Sequence, residues 1–290
     1  MAPDAETCGR IRDLLGSEAV FFRSVTGGYT PAERWLVRLA SGERAFVKIG
    51  TTSNTAAWLR DEHKAYRTLN AEFMPDLLAW QDHPTRPLLI LEDLSEDYWP
   101  PPWEPELVRG VVEVLEELHA MDAPLPTFAE LTAGWEARGW RDVENNPEPF
   151  LSLELASKAW LDSALPLLLE QERTVSGAGA AVIHTDVRSD NLCLTERGVK
   201  LIDWNLACRG DPDLDLAFWL PSLEAEGGPE PQTLLPDRAD LACWVSGFFA
   251  ARAGLPEIPE APRVRTLQRQ QLAPALAWAA RELELQLPSR

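Results

Sequence analysis

Hydrophobic and polar residues alternate in the first fifty residues of the chain. Trp35, Val37 and Leu39 occupy every second position of one segment, and apolar runs at 20–25 and 45–49 flank it across glycine-containing turns. A period of two is typical of a strand with one buried face. The pattern therefore predicts three antiparallel strands.

Apolar residues recur at the three- and four-residue spacing of helices in much of the remaining chain. The predicted helices cover 6–15, 56–70, 106–121, 151–171, 216–223, 239–254 and 264–287. An apolar run at 88–94 predicts one further strand, and the prolines of segment 100–105 interrupt the pattern after it. Segment 122–150 has no clear period and is expected to be irregular. Strands followed by helices predict an α+β fold.

Chemically capable side chains cluster between residues 180 and 220. A short apolar run there predicts a buried strand that leads into Asp186. Five residues later, Asn191 opens a predicted β-hairpin whose turn contains Gly198 and whose second arm ends at Asp203. Each arm has only a few residues, at a rise of about 3.3 Å per residue. The hairpin is therefore expected to return Asp203 to the neighbourhood of Asn191, with Asp186 one loop away.

Two carboxylates and one amide in so small a volume indicate a cation site. At an effective dielectric constant near 20, two carboxylates about 6 Å apart repel each other by roughly 2.8 kcal/mol. Such a cluster either shifts a pKa or holds a cation, and ligands that are all oxygen favour Mg²⁺. The alternative is a surface hairpin whose Asp and Asn side chains only cap turns.

The motif H-x-D-x-x-x-x-N, formed by His184, Asp186 and Asn191, resembles the catalytic loop of protein kinases. With Asp203 and the following GDPDLDLA, which contains Asp215, the sequence is similar to the aminoglycoside phosphotransferase family. The resemblance implies that Asp186 is the base facing the acceptor hydroxyl and that Asn191 and Asp203 bind Mg²⁺. It also implies that His184 holds the loop and that Asp215 braces the loop from a helix below.

The same resemblance implies a protein-kinase-like fold with two lobes. Residues 1–94 would form the N-lobe, a small nucleotide-binding antiparallel sheet plus a helix. Residues 95–290 would form a mostly helical C-lobe with the catalytic and metal loops and the acceptor-binding region. The backbone of Glu92 and Leu94 would bind adenine at the end of the N-lobe.

Two charged residues of the N-lobe occupy unusual positions. Lys48 lies in the middle of a predicted strand, where a lysine is normally avoided unless it is partnered. Glu62 lies on an apolar helix face, which is costly unless it meets a cation; a solvated face is the alternative. The resemblance pairs the two and assigns the α- and β-phosphates of ATP to Lys48. Gly27 and Gly28 are expected to let the backbone approach the phosphates, although a simple turn is the commoner role.

Some residues near the motif leave alternatives open. Thr185 stands where the family commonly has glycine, and a β-branched residue there is expected to stiffen the loop. Arg188 either touches the γ-phosphate or pairs with Asp190. The tryptophans of segment 98–140 are candidates to stack on a sugar or to face an ammonium group, although core packing is the commoner role.

The formal charge of −19 is unevenly distributed. Residues 1–93 contain 11 Lys and Arg against 13 Asp and Glu, whereas residues 94–290 contain 16 against 33. Such a field argues against nucleic acid or anionic membranes as partners and would concentrate a cationic ligand, although ordinary solubility explains it equally well. Neither a signal peptide nor a membrane span is predicted. Four scattered cysteines indicate reduced thiols and a cytoplasmic location.

The activity implied by the resemblance is transfer of the γ-phosphoryl group of ATP, with Mg²⁺, to a hydroxyl of a small molecule. The acceptor is expected to be an antibiotic of aminoglycoside or nucleoside type, which would confer antibiotic resistance, or a cationic metabolite. A choline, homoserine or sugar-amine kinase is the alternative. A protein kinase is disfavoured because no Ala-Pro-Glu follows Asp203. A nucleotide-binding pseudoenzyme is disfavoured because the expected site residues are all present, namely Lys48, Asp186, Asn191 and Asp203.

Overall fold

The structure is a computed structural model that describes residues 2–26, 30–134, 139–259 and 261–288. It consists of two compact units. The first unit comprises Met1–Trp99 and Asp190–Ala207, and the second comprises Pro100–Ser189 and Cys208–Arg290. The lobe boundary between residues 94 and 95 stays a prediction. No helix within the described ranges is both long enough and apolar enough to cross a membrane.

Strands and helices are numbered in chain order over the described residues. The strands are β1 (Ala19–Ser24), β2 (Glu33–Leu39), β3 (Arg44–Ile49), β4 (Leu77–Gln81), β5 (Leu88–Glu92), β6 (Ala181–Ile183), β7 (Leu192–Thr195), β8 (Gly198–Leu201) and β9 (Cys208–Gly210). The helices are α1 (Ala5–Leu15), α2 (Ser53–Leu69), α3 (Pro105–His119), α4 (Phe128–Thr132), α5 (Trp140–Asn145), α6 (Glu148–Leu151), α7 (Lys158–Glu172), α8 (Asp213–Ala225), α9 (Pro231–Leu234), α10 (Ala239–Ala253) and α11 (Val264–Glu282).

A five-stranded antiparallel sheet in the order β1-β2-β3-β5-β4 forms most of the first unit. The three predicted N-terminal strands are confirmed. One face of the sheet is closed by a core that includes Ile11 of α1, Val47 and Ile90, all of them fully buried. Strand β4 was not predicted, because its residues are only partly buried and do not alternate.

The predicted hairpin after Asn191 is confirmed as β7 and β8. It forms a two-stranded sheet of its own, with Leu192 opposite Leu201 and Thr195 opposite Gly198. The hairpin belongs to the first unit even though it lies almost one hundred residues further along the chain. A short bridge between Tyr98 and Leu194 also attaches it to the segment that ends the first part of this unit.

The second unit is mostly helical, with one short antiparallel pair formed by β6 and β9. Segment 122–150, which was expected to be irregular, contains the short helices α4, α5 and α6. Each of them has only one or two turns, too short to show a helical period. The helix expected from residue 151 starts at Lys158, because Ser157 accepts a hydrogen bond from the Trp160 N–H (3.3 Å) and caps it there.

Candidate active site

Lys48 and Glu62 form a buried ion pair in the first unit. Lys48 lies on the central strand β3, opposite Arg34 on one side and Leu89 on the other. Its Nζ donates to both carboxylate oxygens of Glu62 at 2.7 and 3.0 Å. Their side chains are 5% and 4% exposed. The solvated alternative for Glu62 is therefore wrong, and the pairing that the resemblance implied is present.

The turn between β3 and α2 places the two residues within reach of each other. A Cβ atom on Gly50 would lie 2.8 Å from the Ala56 Cα, so only glycine permits the close approach at this position. The Thr52 side chain accepts from the Thr55 N–H and forms a capping box that starts α2. Helix α2 then carries Glu62 over the middle of the sheet.

Asp203 joins this pair from the end of the hairpin. The Lys48 Nζ contacts Asp203 Oδ1 as well as Glu62. Burial alone would lower the pKa of the Lys48 amine, but the Asp203 and Glu62 carboxylates outweigh burial and raise it. The Asp203 backbone has a φ of 64°, a left-handed conformation that is uncommon outside glycine and is often found at functional sites. A buried cation thus lies between two carboxylates, one of which is 32% exposed.

The hairpin brings Asn191 and Asp203 to the same end of β7 and β8, as predicted. The Ile202 N–H donates to the Asn191 C=O at 2.9 Å, which makes the residue before Asp203 a direct neighbour of Asn191. No group of three or more His, Cys, Asp or Glu suited to a metal occurs in the described part of the chain. One carboxylate and one amide nevertheless fit Mg²⁺, which usually takes one or two carboxylates and completes its shell with water and phosphate oxygens.

Asp215 holds the loop before Asp186 in the second unit. Its fully buried carboxylate accepts from the His184 N–H (3.0 Å to each oxygen) and from the Thr185 N–H (2.6 Å). Thr185 has a φ of 66°, which is strained for a β-branched residue. The bracing role of Asp215 is confirmed, and it keeps the loop in a conformation that Thr185 disfavours.

Two histidines complete this brace. The Asp186 N–H donates to His184 Nδ1 at 3.2 Å, and His184 is fully buried. The Nε2 of His119, at the end of α3, lies 3.0 Å from Asp215 Oδ2. His119 lies near the end of a helix that the sequence pattern predicted, and sequence reasoning missed this partner. Nothing in the sequence distinguishes His119 from any other histidine at the end of a helix, so its contact with Asp215 could not be predicted.

Asp186 lies in the second unit with Arg188 against its side chain. The Arg188 Nη1 donates to Asp186 Oδ1 at 2.7 Å, and the side chains are 16% and 29% exposed. The structure thus adds a partner that sequence reasoning had not considered for Arg188. The contact is a charge-assisted hydrogen bond, which restricts the Asp186 carboxylate next to the loop that Asp215 holds.

Glu226 is a second residue that sequence reasoning missed. It follows α8 and accepts from the Ser189 hydroxyl at 2.7 Å and from the Trp103 indole N–H at 2.8 Å. Ser189 belongs to the loop between Asp186 and Asn191. Helix α8 therefore contacts segment 184–189 at two places. Asp215, in the first turn of the helix, binds the start of the segment, and Glu226, just after the last turn, binds Ser189 at its end.

Some backbone groups of Glu92 and Leu94, which are predicted to bind adenine, form hydrogen bonds within the protein. The Glu92 N–H donates to the Asp76 C=O at 2.9 Å, and the Leu94 C=O accepts from the Trp99 indole (3.0 Å) and the Asp97 N–H (3.1 Å). These contacts use the Glu92 N–H and the Leu94 C=O. The predicted adenine contacts stay a prediction.

The other candidates divide into structural residues and residues that the structure does not cover. Gly27 and Gly28 lie outside the described residues, so their phosphate role stays a prediction. Trp140 is fully buried and donates to the Cys243 C=O at 2.9 Å, which makes it a core residue. Trp103 packs on Trp219 with 5.6 Å between the ring centroids.

Solved structures share this fold at low sequence identity. A thermostable mutant of aminoglycoside phosphotransferase APH(4)-Ia, in a ternary complex with ADP and hygromycin B, is 14% identical, with a TM-score of 0.59 over 97% of this chain and 98% of that chain. Spectinomycin phosphotransferase APH(9)-Ia, in complex with ADP and spectinomycin, is 10% identical, with a TM-score of 0.56 over 93% and 94%. An aminoglycoside phosphotransferase from Alicyclobacillus acidocaldarius is 16% identical, with a TM-score of 0.57 over 98% and 97%.

These likenesses confirm the predicted α+β, protein-kinase-like fold. No curated protein matches the sequence. The phosphotransferase enzyme family matches residues 22–253, which is most of the chain and includes every predicted site residue. The chain therefore belongs to the phosphotransferase enzyme family.

Proposed function

We propose that this protein is an ATP-dependent O-phosphotransferase that moves the γ-phosphoryl group to a hydroxyl of a small molecule. The observation that carries the proposal is the buried Lys48, held by Glu62 and Asp203 in a chain of this family. Burying a charge costs desolvation free energy, so a buried lysine indicates a function. A buried lysine beside a partly exposed carboxylate can bind a phosphate and the metal ion that accompanies it. The structural neighbours that contain ADP support a nucleoside triphosphate as the donor.

Lys48 would bind the α- and β-phosphates, with Glu62 holding its amine in place. In the structure the same amine also contacts Asp203. Phosphate oxygens would replace that contact and leave Asp203 to the metal. The Leu94 N–H would bind the base, and Gly27 and Gly28 would approach the phosphates.

Asn191 and Asp203 would hold Mg²⁺ through one amide oxygen and one carboxylate. When bound, the ion neutralises charge on the phosphates and polarises the transferred phosphoryl group. The protein supplies the position of these ligands, because the Ile202 N–H bond to Asn191 holds the two ends of the hairpin together.

Asp186 would accept the proton of the acceptor hydroxyl. The acceptor oxygen forms a bond to the γ-phosphorus while the bond from that phosphorus to the bridging β,γ-oxygen breaks and ADP leaves. The hydroxyl proton passes to the Asp186 carboxylate, to which the Arg188 guanidinium donates. The brace formed by Asp215 and His184 fixes where this carboxylate points.

The acceptor we propose is an antibiotic of aminoglycoside or nucleoside type, or a cationic metabolite. Residues 94–290 carry 33 acidic against 16 basic residues, a field that concentrates cations. The neighbours with bound hygromycin B and spectinomycin support an antibiotic acceptor. A choline, homoserine or sugar-amine kinase is the alternative that the same field accommodates.

A coupled ADP-release screen tests the proposal. The panel comprises aminoglycosides, nucleoside antibiotics, amino alcohols and sugar amines, each with ATP and Mg²⁺. We expect at least one hydroxyl-bearing cation to stimulate ADP release in the wild type and to fail with Asp186→Asn. Nucleotide binding without stimulation by any acceptor would favour a pseudoenzyme, and an acidic acceptor that outperforms every cation would contradict the charge argument.

A further inference from the structure

Lys200 is a second buried lysine, outside the set of residues that the proposed reaction uses. It lies on β8, three residues before Asp203, and only 1% of its surface is exposed. Burial lowers the pKa of its amine. Within the described residues it forms no ion pair; its Nζ donates to two backbone carbonyls instead, those of Glu72 and Met74 (2.9 Å to Met74). The amine of Lys200 therefore links β8 to the backbone of two particular residues and does not serve to neutralise a carboxylate.

The two carbonyls belong to the segment through which the chain leaves α2. That helix ends at Leu69 and is closed by Asn70 in a left-handed conformation. Segment 72–74 follows directly and lies along β8, where the Leu201 N–H donates to the Phe73 C=O at 2.8 Å. Lys200 and Leu201 thus make three hydrogen bonds from the strand that leads to Asp203 to the segment that follows the helix carrying Glu62.

Aromatic packing extends the attachment to the residue after Asp203. The ring of Phe73 lies 5.8 Å from that of Trp204, and the Trp204 indole donates back to the Leu201 C=O at 2.8 Å. Helix α2 also packs against the turn Trp204–Leu206. The backbone on both sides of Asp203 is therefore fastened to α2 and to the segment after it.

This fastening matters because the hairpin is not part of the five-stranded sheet. Sheet hydrogen bonds hold Lys48 on β3, but none of them holds Asp203. The position of Asp203 relative to Glu62 depends on its contact with Lys48, on the packing of α2 against the turn Trp204–Leu206, and on the contacts between β8 and segment 72–74. Among the residues that the structure describes, Lys200 is the side chain that donates hydrogen bonds from β8 to segment 72–74. At the turn of the hairpin, the exposed Arg197 pairs with Asp76 and Glu92.

We propose that Lys200 is a positioning residue that sets Asp203 against Lys48 and Glu62 for the metal-bound nucleotide. The inference rests on the proposed function, because it assigns Asp203 to the metal. It predicts that loss of the Lys200 amine weakens metal-dependent nucleotide binding beyond what lost stability explains. Residues that hold a metal ligand from behind typically change metal affinity by about 10- to 100-fold when they are replaced.

The test compares Lys200→Met with Ile11→Ala. Methionine keeps nearly the volume of the side chain but cannot donate to the two carbonyls. Ile11 is fully buried in the same unit, on α1, in a core cluster whose members come from neither segment 72–74 nor the hairpin. Both variants are expected to lower Tm by roughly 3 to 8 °C, so the control matches the loss of stability without moving Asp203.

Binding is measured by isothermal titration well below the Tm of either variant, with ADP in the presence of Mn²⁺ and with ADP in EDTA. For Lys200→Met we expect the Kd for ADP with Mn²⁺ to rise about 10- to 100-fold, while the Kd in EDTA changes less than about threefold because Lys200 does not reach the nucleotide. Ile11→Ala should bind as the wild type does under both conditions. Lys200→Gln, whose amide reaches one carbonyl, should lose less and serves as the test variant if Lys200→Met does not fold.

The possible outcomes distinguish failure of the Lys200 role from failure of the proposed function. If Mn²⁺ strengthens ADP binding in the wild type and equally in Lys200→Met or Lys200→Gln, the positioning role is wrong and the proposed function stands. If the wild type gains no affinity from Mn²⁺, the metal role of Asp203 is wrong, and the inference is wrong with it. A Kd in EDTA that rises as much as the Kd with Mn²⁺ would show general distortion and would also overturn the specific role.

Discussion

Replacing Asp215 by asparagine removes the negative charge that holds the loop before Asp186. The wild-type carboxylate is fully buried and takes N–H groups from His184 and Thr185, with His119 on its other side. An asparagine in the same rotamer keeps one oxygen for the two backbone N–H groups. Its amide nitrogen then replaces the oxygen that lies 3.0 Å from the His184 N–H, and two donors face each other there.

The size of the effect follows from these bonds. A hydrogen bond to a charged group contributes about 1.5 to 3 kcal/mol, and one between neutral groups about 1 kcal/mol. Two backbone bonds lose their charge assistance, and one contact becomes a donor facing a donor. We therefore expect the loop to be about 2 to 4 kcal/mol less stable, which corresponds to an opening equilibrium constant about 30- to 900-fold larger at 1.36 kcal/mol per tenfold. The left-handed backbone conformation of Thr185 further favours opening of the loop, because the weakened hydrogen bonds to residue 215 no longer offset its strain.

Hydrogen exchange followed by mass spectrometry measures this opening directly. Peptides that contain residues 183–187 report the His184 and Thr185 amides, and exchange is recorded where it tracks the opening equilibrium. Asp213→Asn is the matched control, because Asp213 begins the same helix and pairs with Arg238 at a half-exposed position. Such pairs contribute about 0 to 1 kcal/mol. Exchange in Asp215→Asn that is less than about fivefold faster than in this control would refute the account of the brace.

Three further changes test other parts of the structure. Asp186→Asn should lower kcat by about 10²- to 10⁴-fold, the usual contribution of a positioned base, while the Kd for ATP stays unchanged; near wild-type turnover would remove Asp186 from the role. Burial raises the pKa of Glu172 to about 7 from an ordinary value of 4.5, so the folded protein keeps a proton that the unfolded chain has already released between these values. Stability should therefore fall as pH rises from about 4.5 to about 7, and Glu172→Gln should be more stable than the wild type by about 1 to 3 kcal/mol at pH 8 but not at pH 4.5; equal unfolding midpoints at both pH values would exclude this. Thr185→Gly should stabilise the protein by roughly 1 kcal/mol, because glycine adopts the positive φ without strain; a lower Tm would mean that the threonine side chain contributes more than its strain costs.

Local patterns predicted much of the fold because the forces that they report act over a few residues. Alternation predicted β1, β2 and β3, and helical spacing predicted α2 and α3 to within a few residues. Elements of one or two turns were missed, since they are shorter than the period that would reveal them. The start of α7 was misplaced because a capping serine, rather than the apolar pattern, decides it.

The candidate site was predictable in its residue types and only partly in its contacts. The unusual position of Lys48 and the apolar face around Glu62 indicated a partnered lysine, and the structure pairs them. The hairpin length indicated that Asn191 and Asp203 meet at one end. His119 and Glu226 carried no comparable signal, because a histidine or a glutamate on an ordinary element looks the same whether or not it has a buried partner. Lys200 lies within a predicted strand, as Lys48 does, but the sequence did not indicate which groups its amine would meet.

The sequence by itself determined which residues carry chemistry and which short elements hold them, through the motif at Asp186, the hairpin and the periodicity of its neighbours. Only the tertiary structure decided the partners: Asp203 meets Lys48 across 155 positions, Lys200 meets Glu72 across 128, and His119 meets Asp215 across 96. Hydrogen bonds over such separations form only after whole elements have packed, because burial removes water as the competing partner and leaves each polar group to the neighbour that the fold supplies.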